Sequence, residues 1–464
     1  MAIWIPDLKG RRGPKYLQIV DAMAEDIASG HLLPNAKLLP HREMAYQLGI
    51  SANTTSRAYA EATRRALLRG EVGRGTFVRA PGAILENGEQ GSLLRQENGP
   101  IDLSRNLPLP GFSEPHIRRI LKKIAADARL PTLLDYQTDN DLAHHNEAAR
   151  IWLSNCGIDA ATDQIVMTMG GQHGLLCSLM SVLNAGDLLL TEALTYTPVR
   201  AIAERQGLNT AVVEMDECGI IPEAFEELCK RAKPKAFYLT PTLQAPTTLT
   251  LSAQRRMALA ALAQQYNVVL IEDDVFGPLK IDRPPPVATF APDHTIYVTS
   301  LSKSVAPGLR VGFLYAPSRL VPALRHAINL SVWMTPPMTL EIATRVINDG
   351  TAFKLAKQQR DAAAHRQTLA RTVLKNVDYT SDPNGLHMWI RLPADWRADS
   401  FRAQCAKHGV LVTEGRSFAA PSETAPEAVR ICLSHEVSEL RLTKGLQVLA
   451  SLHHQAPSTS VMEI

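Results

Sequence analysis

The sequence predicts an α/β protein built on a mostly parallel sheet, with a small helix-turn-helix module ahead of it and a smaller α+β subdomain behind it. Three observations carry this. From about 160 to about 315, apolar β-branched runs of strand length alternate with helical stretches, as in a parallel sheet covered on both faces. Residues 1–80 read instead as three short helices and a glycine-rich hairpin. Between these parts, residues 81–100 are rich in Gly, Glu, Gln and Asn without apolar periodicity, which predicts a flexible linker.

At 464 residues the chain is too long for one compact core, so two or three domains are expected. Apolar residues make up 45% and charged residues 20%, as in a globular protein. No apolar run reaches about 18 residues, so no membrane span is expected. The start, Met1 to Asp7, is interrupted by Pro6 and does not resemble a signal peptide. The six cysteines are scattered with no C-x-x-C pair, which predicts reduced thiols in a cytoplasm and neither a disulfide framework nor a metal site. The net charge of +3 is unevenly spread: residues 1–80 hold twelve Lys/Arg against seven Asp/Glu. That excess suggests a polyanionic partner for the first part alone.

In chain order, Pro14 to Ser29 reads as a helix with Leu17, Val20, Ala24 and Ile27 on one face, ended by Gly30. His41 to Leu48 is a second helix closed by Gly49. Ser51 is the expected N-cap of a third helix running to about Leu67, with Tyr59 and Ala62 facing inward. Its outer face is expected to carry Ala52, Asn53, Thr55 and Ser56, with Arg57 nearby. Residues 69–78 read as a glycine-turn hairpin with Arg74 at its tip. Short polar side chains at a helix N-terminus reach base edges, and Arg42, Arg57 and Arg74 suit phosphates or guanines. The plainer alternative is a helical interaction module with a solvated face. The order Leu39-Pro40-x-Arg42, Leu48-Gly49-Ile50-Ser51, Ala58-Tyr59 and Gly73-Arg74-Gly75-Thr76-Phe77-Val78 closely resembles the GntR-type winged helix. That resemblance implies operator DNA as partner, with Arg42, Ser51, Asn53, Thr55, Arg57, Arg74 and Gly75 as candidate contacts.

Further on, residues 140–155 predict an amphipathic helix and Gln164 to Thr168 a strand. Gly170 to Gly174 follow as a turn, and Leu175 to Leu183 as a helix. A strand, a glycine turn and a helix make an anion site, because free N–H groups point at the turn. Asp187 to Thr191 is the next strand, with Tyr196 after it, and Ala236 to Thr240 another. Asn267 to Asp274 is an apolar run ending in acids. Thr295 to Val298 is a strand that delivers Lys303 at its C-terminal end, where ligands bind in open α/β sheets. Ser300 and Ser302 flank that amine and Arg310 follows, a set of donors suited to a phosphate dianion. An amine beside a phosphate cradle is what pyridoxal phosphate requires, and an acid at a neighbouring strand mouth suits its pyridinium nitrogen. Taken singly, each feature also reads as an ordinary polar strand end.

Together, the motif S-x-S-K-x-x-x-P-G-x-R at 300–310 and the Asp273 strand resemble fold-type I, class I/II aminotransferases over roughly residues 100–450. The resemblance implies that Lys303 carries the pyridoxal 5′-phosphate Schiff base and that Asp273 faces the ring nitrogen. It implies that Ser300, Ser302 and Arg310 hold the phosphate, helped by Gly171, Gln172 and backbone amides. Gly171 stands where the family usually places a hydroxyl. Tyr196 would stack on the ring, and Arg430, in the strand Ala428 to Leu433, would bind an effector carboxylate. Two departures stand out. Ala245-Pro246-Thr247-Thr248 replaces Asn-Pro-Thr-Gly, and Val275-Phe276 occupies the place of a tyrosine, so both usual partners of the cofactor 3′-oxygen are missing. Cofactor retention with weak or absent turnover is expected.

The whole chain resembles the MocR subgroup of the GntR family. That implies a transcriptional regulator in which an amino acid or amine displaces Lys303, forming an external aldimine and changing operator binding. It also implies a cytoplasmic homodimer, head-to-tail, with each winged helix on the other subunit. An active aminotransferase with a regulatory DNA-binding domain, and a scaffold that binds DNA without cofactor, remain alternatives. The expected organisation is 1–80 winged helix, 81–100 linker, 101–455 aminotransferase-like domain and 456–464 disordered tail.

Overall fold

The computed structural model describes residues 4–8, 11, 13–29, 31–33, 36–64, 67–71, 75–78, 99–137, 139–420 and 424–455. The chain divides into two compact units, Met1–Leu94 and Arg95–Ile464. The expected tail and nearly all of the expected linker lie outside the described residues.

The first unit contains α1 Lys15–Ala28, α2 His41–Leu48, α3 Ala52–Arg64 and the strands β1 Leu68–Glu71 and β2 Gly75–Val78. Ile19, Val20 and Met23 from α1 meet Met44, Ala58, Tyr59, Ala62, Leu68 and Val78 in one core. The buried stripe of α1 is therefore rotated from the expected one. Ile19, Val20 and Met23 are fully buried, whereas Leu17 and Ala24 are half-buried, because the bulkier row fills the space against α3. Gly49 ends α2 at φ 61°, a left-handed conformation that glycine adopts without a Cβ clash. Ser51 Oγ accepts from the Thr54 N–H at 3.2 Å and so caps α3. β1 and β2 pair antiparallel from Leu68↔Val78 to Glu71↔Gly75, and Gly75 opens β2 at φ 117°. Residues 72–74, with Arg74, lie outside the described residues.

Thr55 corrects the sequence reading. It is fully buried, not on the outer face, and its hydroxyl donates to the His41 carbonyl at 2.7 Å and the Ala52 carbonyl at 3.1 Å. Positions 55, 58, 59 and 62 recur at helical spacing, so the threonine belongs to the stripe that faces α1 and α2. Thr55 is thus a tie between α2 and α3, not a base contact.

The second unit opens with β3 Ile101–Asp102, α4 Glu114–Ala125 and α5 Asp139–Asn155. Strands and helices then alternate: β4 Ile165–Thr168, α6 Gly171–Val182, β5 Leu188–Glu192, α7 Thr197–Arg205 and β6 Asn209–Val213. A small hairpin of β7 Met215–Asp216 and β8 Gly219–Ile220 precedes α8 Pro222–Ala232. β9 Ala236–Leu239, α9 Ala253–Tyr266, β10 Val269–Asp273, β11 Thr295–Ser300 and β12 Gly312–Tyr315 complete this part. The seven-stranded sheet has the order β4-β12-β11-β10-β9-β5-β6 and is parallel except for β12, which runs antiparallel to both neighbours. β9 and β11 are buried throughout and β10 at every position after Val269, as a sheet covered on both faces requires.

Three helices follow, α10 Val321–Val332, α11 Pro337–Asn348 and α12 Thr351–Val373. The C-terminal part comprises β13 Tyr379–Ser381, β14 His387–Arg391, α13 Ala398–Lys407, β15 Val410–Leu411, β16 Thr413–Glu414, β17 Ala428–Cys432 and α14 Glu439–His453. Its sheet has the order β13-β14-β17-β16. β15 pairs in parallel with β3 in the register Val410↔Ile101, which ties the start of the unit to its end. A second correction concerns α6. The helix begins at Gly171, so the glycines expected to form a separate turn make its first turn, with Gly170 as N-cap at φ 80°.

Thr55→Val should loosen the contact between α2 and α3 by about 1 kcal/mol, seen as faster hydrogen exchange across His41–Arg64. Ser56→Ala, at an exposed position, should leave that exchange unchanged. Equal effects of the two would contradict the placement of Thr55.

Candidate cofactor and effector site

The carboxyl ends of β10 and β11 lie side by side, with Asp273 opposite Val298 in the parallel register. Asp273 is 9% exposed. Its Oδ2 accepts from the Tyr238 hydroxyl at 2.8 Å and its Oδ1 from the Val275 N–H at 3.2 Å. Burial pushes the Asp273 carboxyl up to about 6, against the pull of Tyr238 and of the Lys303 charge. Lys303, three residues past β11, donates from Nζ to the main-chain carbonyl of Asn106 and lies 5.4 Å from the centre of the Phe276 ring.

A glycine-lined cradle lies next to this pair. The first turn of α6 points N–H groups without intrahelical partners toward Gly170. Arg310 is held left-handed at φ 50° and donates from Nη2 to the Met169 carbonyl at 3.3 Å. A Cβ on Gly170 would meet the Arg310 guanidinium at 3.0 Å, and one on Gly171 would meet Val275 at 2.9 Å and Ser300 Oγ at 3.8 Å. Ser300 Oγ accepts from the Ser302 N–H at 3.4 Å. The hydroxyls of Ser302 and Ser304 are buried and find no hydrogen-bond partner among the described residues. Lys303, Asp273, Ser300, Ser302, Arg310 and Gly171 are thus gathered at one end of the sheet, with Gln172 exposed on the same helical turn. Tyr196 precedes α7, packs on the core of the large sheet and lies close enough to Tyr238 for the phenols to interact.

Arg430, in the middle of β17, is 5% exposed. Its Nη2 donates to the Ser104 carbonyl at 2.5 Å and to Thr413 Oγ1 at 3.4 Å, and its guanidinium stacks 4.8 Å from the centre of Phe418. Ala245 and Phe276 meet in one apolar cluster with Leu243, Leu279, Ala363 and Leu386. The two departures from the aminotransferase pattern therefore form a single hydrophobic wall.

Three participants escaped sequence reasoning. Tyr238 binds the Asp273 carboxylate from the neighbouring strand. Glu192, at the end of β5, is buried, accepts from the Thr240 N–H and hydroxyl, and is pushed by burial up to about 8. His387, fully buried at the start of β14, bridges the Gln244 carbonyl and the Asn106 side chain. Burial holds its imidazole down at about 3. The available signal was a lone polar residue inside each apolar run, which also marks ordinary packing.

The donor set fits pyridoxal phosphate. Two buried serine hydroxyls lack partners among the described residues, glycines leave room beside a guanidinium and a helix N-terminus, and an acid stands near an amine. Residues 99–447 match the model of aminotransferase class I and II, three quarters of the chain. The chain belongs to that family. Residues 15–78 match the model of bacterial regulatory proteins of the gntR family, so a GntR helix-turn-helix is fused to a class I/II aminotransferase domain. The chain is 27% identical over 453 residues to the Bacillus subtilis HTH-type transcriptional regulator YdeF, covering 97% of this chain and 96% of that one. It is 28% identical to the vitamin B6 salvage pathway transcriptional repressor PtsJ of Salmonella typhimurium, covering 90% and 94%. Among solved structures, Pyrococcus horikoshii kynurenine aminotransferase in complex with PMP matches at a TM-score of 0.71 and 25% identity, covering 77% of this chain and 91% of that one. Pyridoxal phosphate is the cofactor that the family and the fold imply. No helix among the described residues is long and apolar enough to cross a membrane.

The raised Asp273 carboxyl gives a pH test on the cofactor-free protein. Folded, it keeps its proton up to about pH 6, whereas an unfolded aspartate releases it at about 3.9. The folded state binds more protons in that window, so stability falls as pH rises through it and levels off above. Asp273→Asn removes the fall. The variant should gain on the order of 3 kcal/mol on the wild type between about pH 4 and pH 7, read from urea midpoints. A gap independent of pH would contradict it.

Proposed function

We propose that this protein is a pyridoxal phosphate-dependent, DNA-binding transcriptional regulator that senses an amino acid or amine. The observation that carries the reading is the union in one chain of a helix-turn-helix unit with this particular site. Lys303, Asp273 and the phosphate cradle are assembled, while Ala245 and Phe276 make an apolar wall. Bound pyridoxal phosphate supplies an aldehyde that condenses reversibly with primary amines. Asp273, backed by Tyr238, holds a proton at the ring nitrogen. Ser300, Ser302, Arg310, Gln172 and the amide of Gly171 grip the phosphate, Tyr196 covers the ring, and Arg430 takes an effector carboxylate. Each hydrogen bond missing from the Ala245 and Phe276 side removes roughly 0.5–1.5 kcal/mol of support from the steps of turnover. Gripping the phosphate and exchanging the amine at Lys303 need neither bond.

With its amine free, Lys303 bonds the Asn106 carbonyl, on the segment that also binds Arg430, so an effector that releases Lys303 from the cofactor returns the amine to that contact. An effector shifts the regulator's states only through different affinity for them, and these contacts differ between the two. On the DNA side, Arg42, Ser51 and Asn53 are exposed, and Arg57 stacks 4.0 Å from the centre of Tyr16. These residues, with Gly75 and Arg74, form the operator-binding set in this reading.

The working assembly in this reading is a homodimer in the cytoplasm, where operator DNA is. Leu134, Tyr136, Leu330 and Trp333 are 73%, 73%, 64% and 61% exposed. Tyr136 and Trp333 stand edge to face at 6.0 Å, with Trp333 held at φ 68°. An exposed aromatic pair held in a left-handed turn supports a second copy of the chain as its cover. The head-to-tail arrangement, with each winged helix on the other subunit, is the dimer that the MocR resemblance implies. A two-fold dimer reads two half-sites.

In the cofactor-loaded protein, an active amine should alter both the cofactor absorbance and the operator affinity. Lys303→Ala should abolish the coupled response while DNA binding persists. Sustained conversion of amino acid over many turnovers, without a change in operator affinity, would favour a working aminotransferase instead. Trp333→Lys combined with Leu330→Lys should turn the dimer into a monomer in sedimentation, and an unchanged dimer would remove that surface from the interface.

A further inference from the structure

Asn106 lies on the extended segment after β3, between the two cations of the site. Two residues earlier, the Ser104 carbonyl accepts from Arg430 Nη2 at 2.5 Å, and the carbonyl of Asn106 itself accepts from Lys303 Nζ. The side-chain amide is oriented by a relay with no ambiguity of donor. The Gln244 main-chain oxygen only accepts, so His387 meets it through Nε2–H at 3.2 Å. The buried imidazole is neutral, which leaves Nδ1 as a lone pair. That lone pair accepts from Asn106 Nδ2 at 3.0 Å. The other end of the amide, Oδ1, is therefore the one turned away from His387. It is buried and has no hydrogen-bond partner among the described residues. Phe276, whose ring centre lies 5.8 Å from the His387 ring and 5.4 Å from Lys303 Nζ, offers it no donor.

We propose that Asn106 determines effector specificity: its Oδ1 accepts a hydrogen bond from an N–H or O–H group that the effector carries in addition to its reacting amine. His387 is a positioning residue that keeps the acceptor end turned to the effector. The inference rests on the sensor reading and narrows its ligand class to amino acids with a second donor. A buried acceptor built to be bonded discriminates strongly against an isostere without the donor, since that ligand leaves it unpaired.

The test uses the full-length, cofactor-loaded protein and two pairs of probes of matched size, L-homoserine with L-norvaline and L-ornithine with L-norleucine. Cofactor absorbance gives the affinities, and operator affinity is recorded in parallel. The wild type should prefer the donor-bearing member of at least one pair by about tenfold or more. Asn106→Ala should bring that ratio toward one, and His387→Leu should lower it in the same direction. Asn106→Asp, which keeps an acceptor and adds charge, should retain or increase the preference for ornithine over norleucine. It decides the matter where Asn106→Ala loses the cofactor. A ratio near one in the wild type for both pairs, an unchanged ratio in Asn106→Ala, or loss of the ornithine preference in a cofactor-loaded Asn106→Asp overturns the proposal while leaving the sensor reading in place. If no amine alters absorbance or operator affinity, the sensor reading falls and takes this inference with it.

Discussion

The parallel pairing of β10 with β11 is the constraint on which the site depends. Register fixes Asp273 beside Val298, so the acid that ends one strand and the lysine that follows the other emerge from the same edge of the sheet. A slip of one residue would turn the carboxylate to the opposite face. β9 enforces the same alignment from the other side and contributes Tyr238, whose hydroxyl fixes the Asp273 carboxylate. The antiparallel β12 brings Gly312 so close to Gly170 that a Cβ would meet its backbone at 2.8 Å. The cradle and the acid–amine pair are thus set by one sheet.

Charge buried beneath that edge is satisfied locally. Glu272 accepts from the Val287 and Ala288 N–H groups at 2.9 and 2.8 Å, with the fully buried Arg256 at 3.8 Å. Asp274 pairs with Arg283 at 3.2 Å and accepts from the Tyr297 hydroxyl at 2.6 Å. Such buried pairs add little net stability, but removing one partner strands the other charge. They hold the floor of the site in one geometry. Asp273 differs from them in having a phenol and an N–H as partners and, among the described residues, no cation in salt-bridge contact, which suits it to receive a cationic ring nitrogen.

The side of the site facing Arg430 is built differently. It rests on a segment that begins with β3, is clamped by β15, and presents the Ser104 carbonyl to Arg430 and the Asn106 carbonyl to Lys303. Arg430 and Lys303 are therefore linked through a short stretch of backbone. In the proposed sensor, engaging or releasing the Lys303 amine changes a contact on the same segment that binds Arg430, which would give the site a mechanical way to report occupancy.

Much of this was legible in the sequence because it depends on local periodicity and on motifs whose residues are neighbours in the chain. Strand and helix alternation, the Lys303 motif, the acids ending β10 and the cap at Ser51 are of that kind. Glycine and threonine misled for physical reasons. Glycines are poor helix formers, yet packing against the sheet carries α6 back to Gly171. A threonine reads as polar, yet Thr55 hides its hydroxyl on the His41 carbonyl. What only the tertiary structure decided is the meeting of Asn106 with His387, 281 residues apart, and of His387 with Gln244. No local pattern encodes which way an amide turns, because its orientation is set by donors and acceptors that distant strands bring to it.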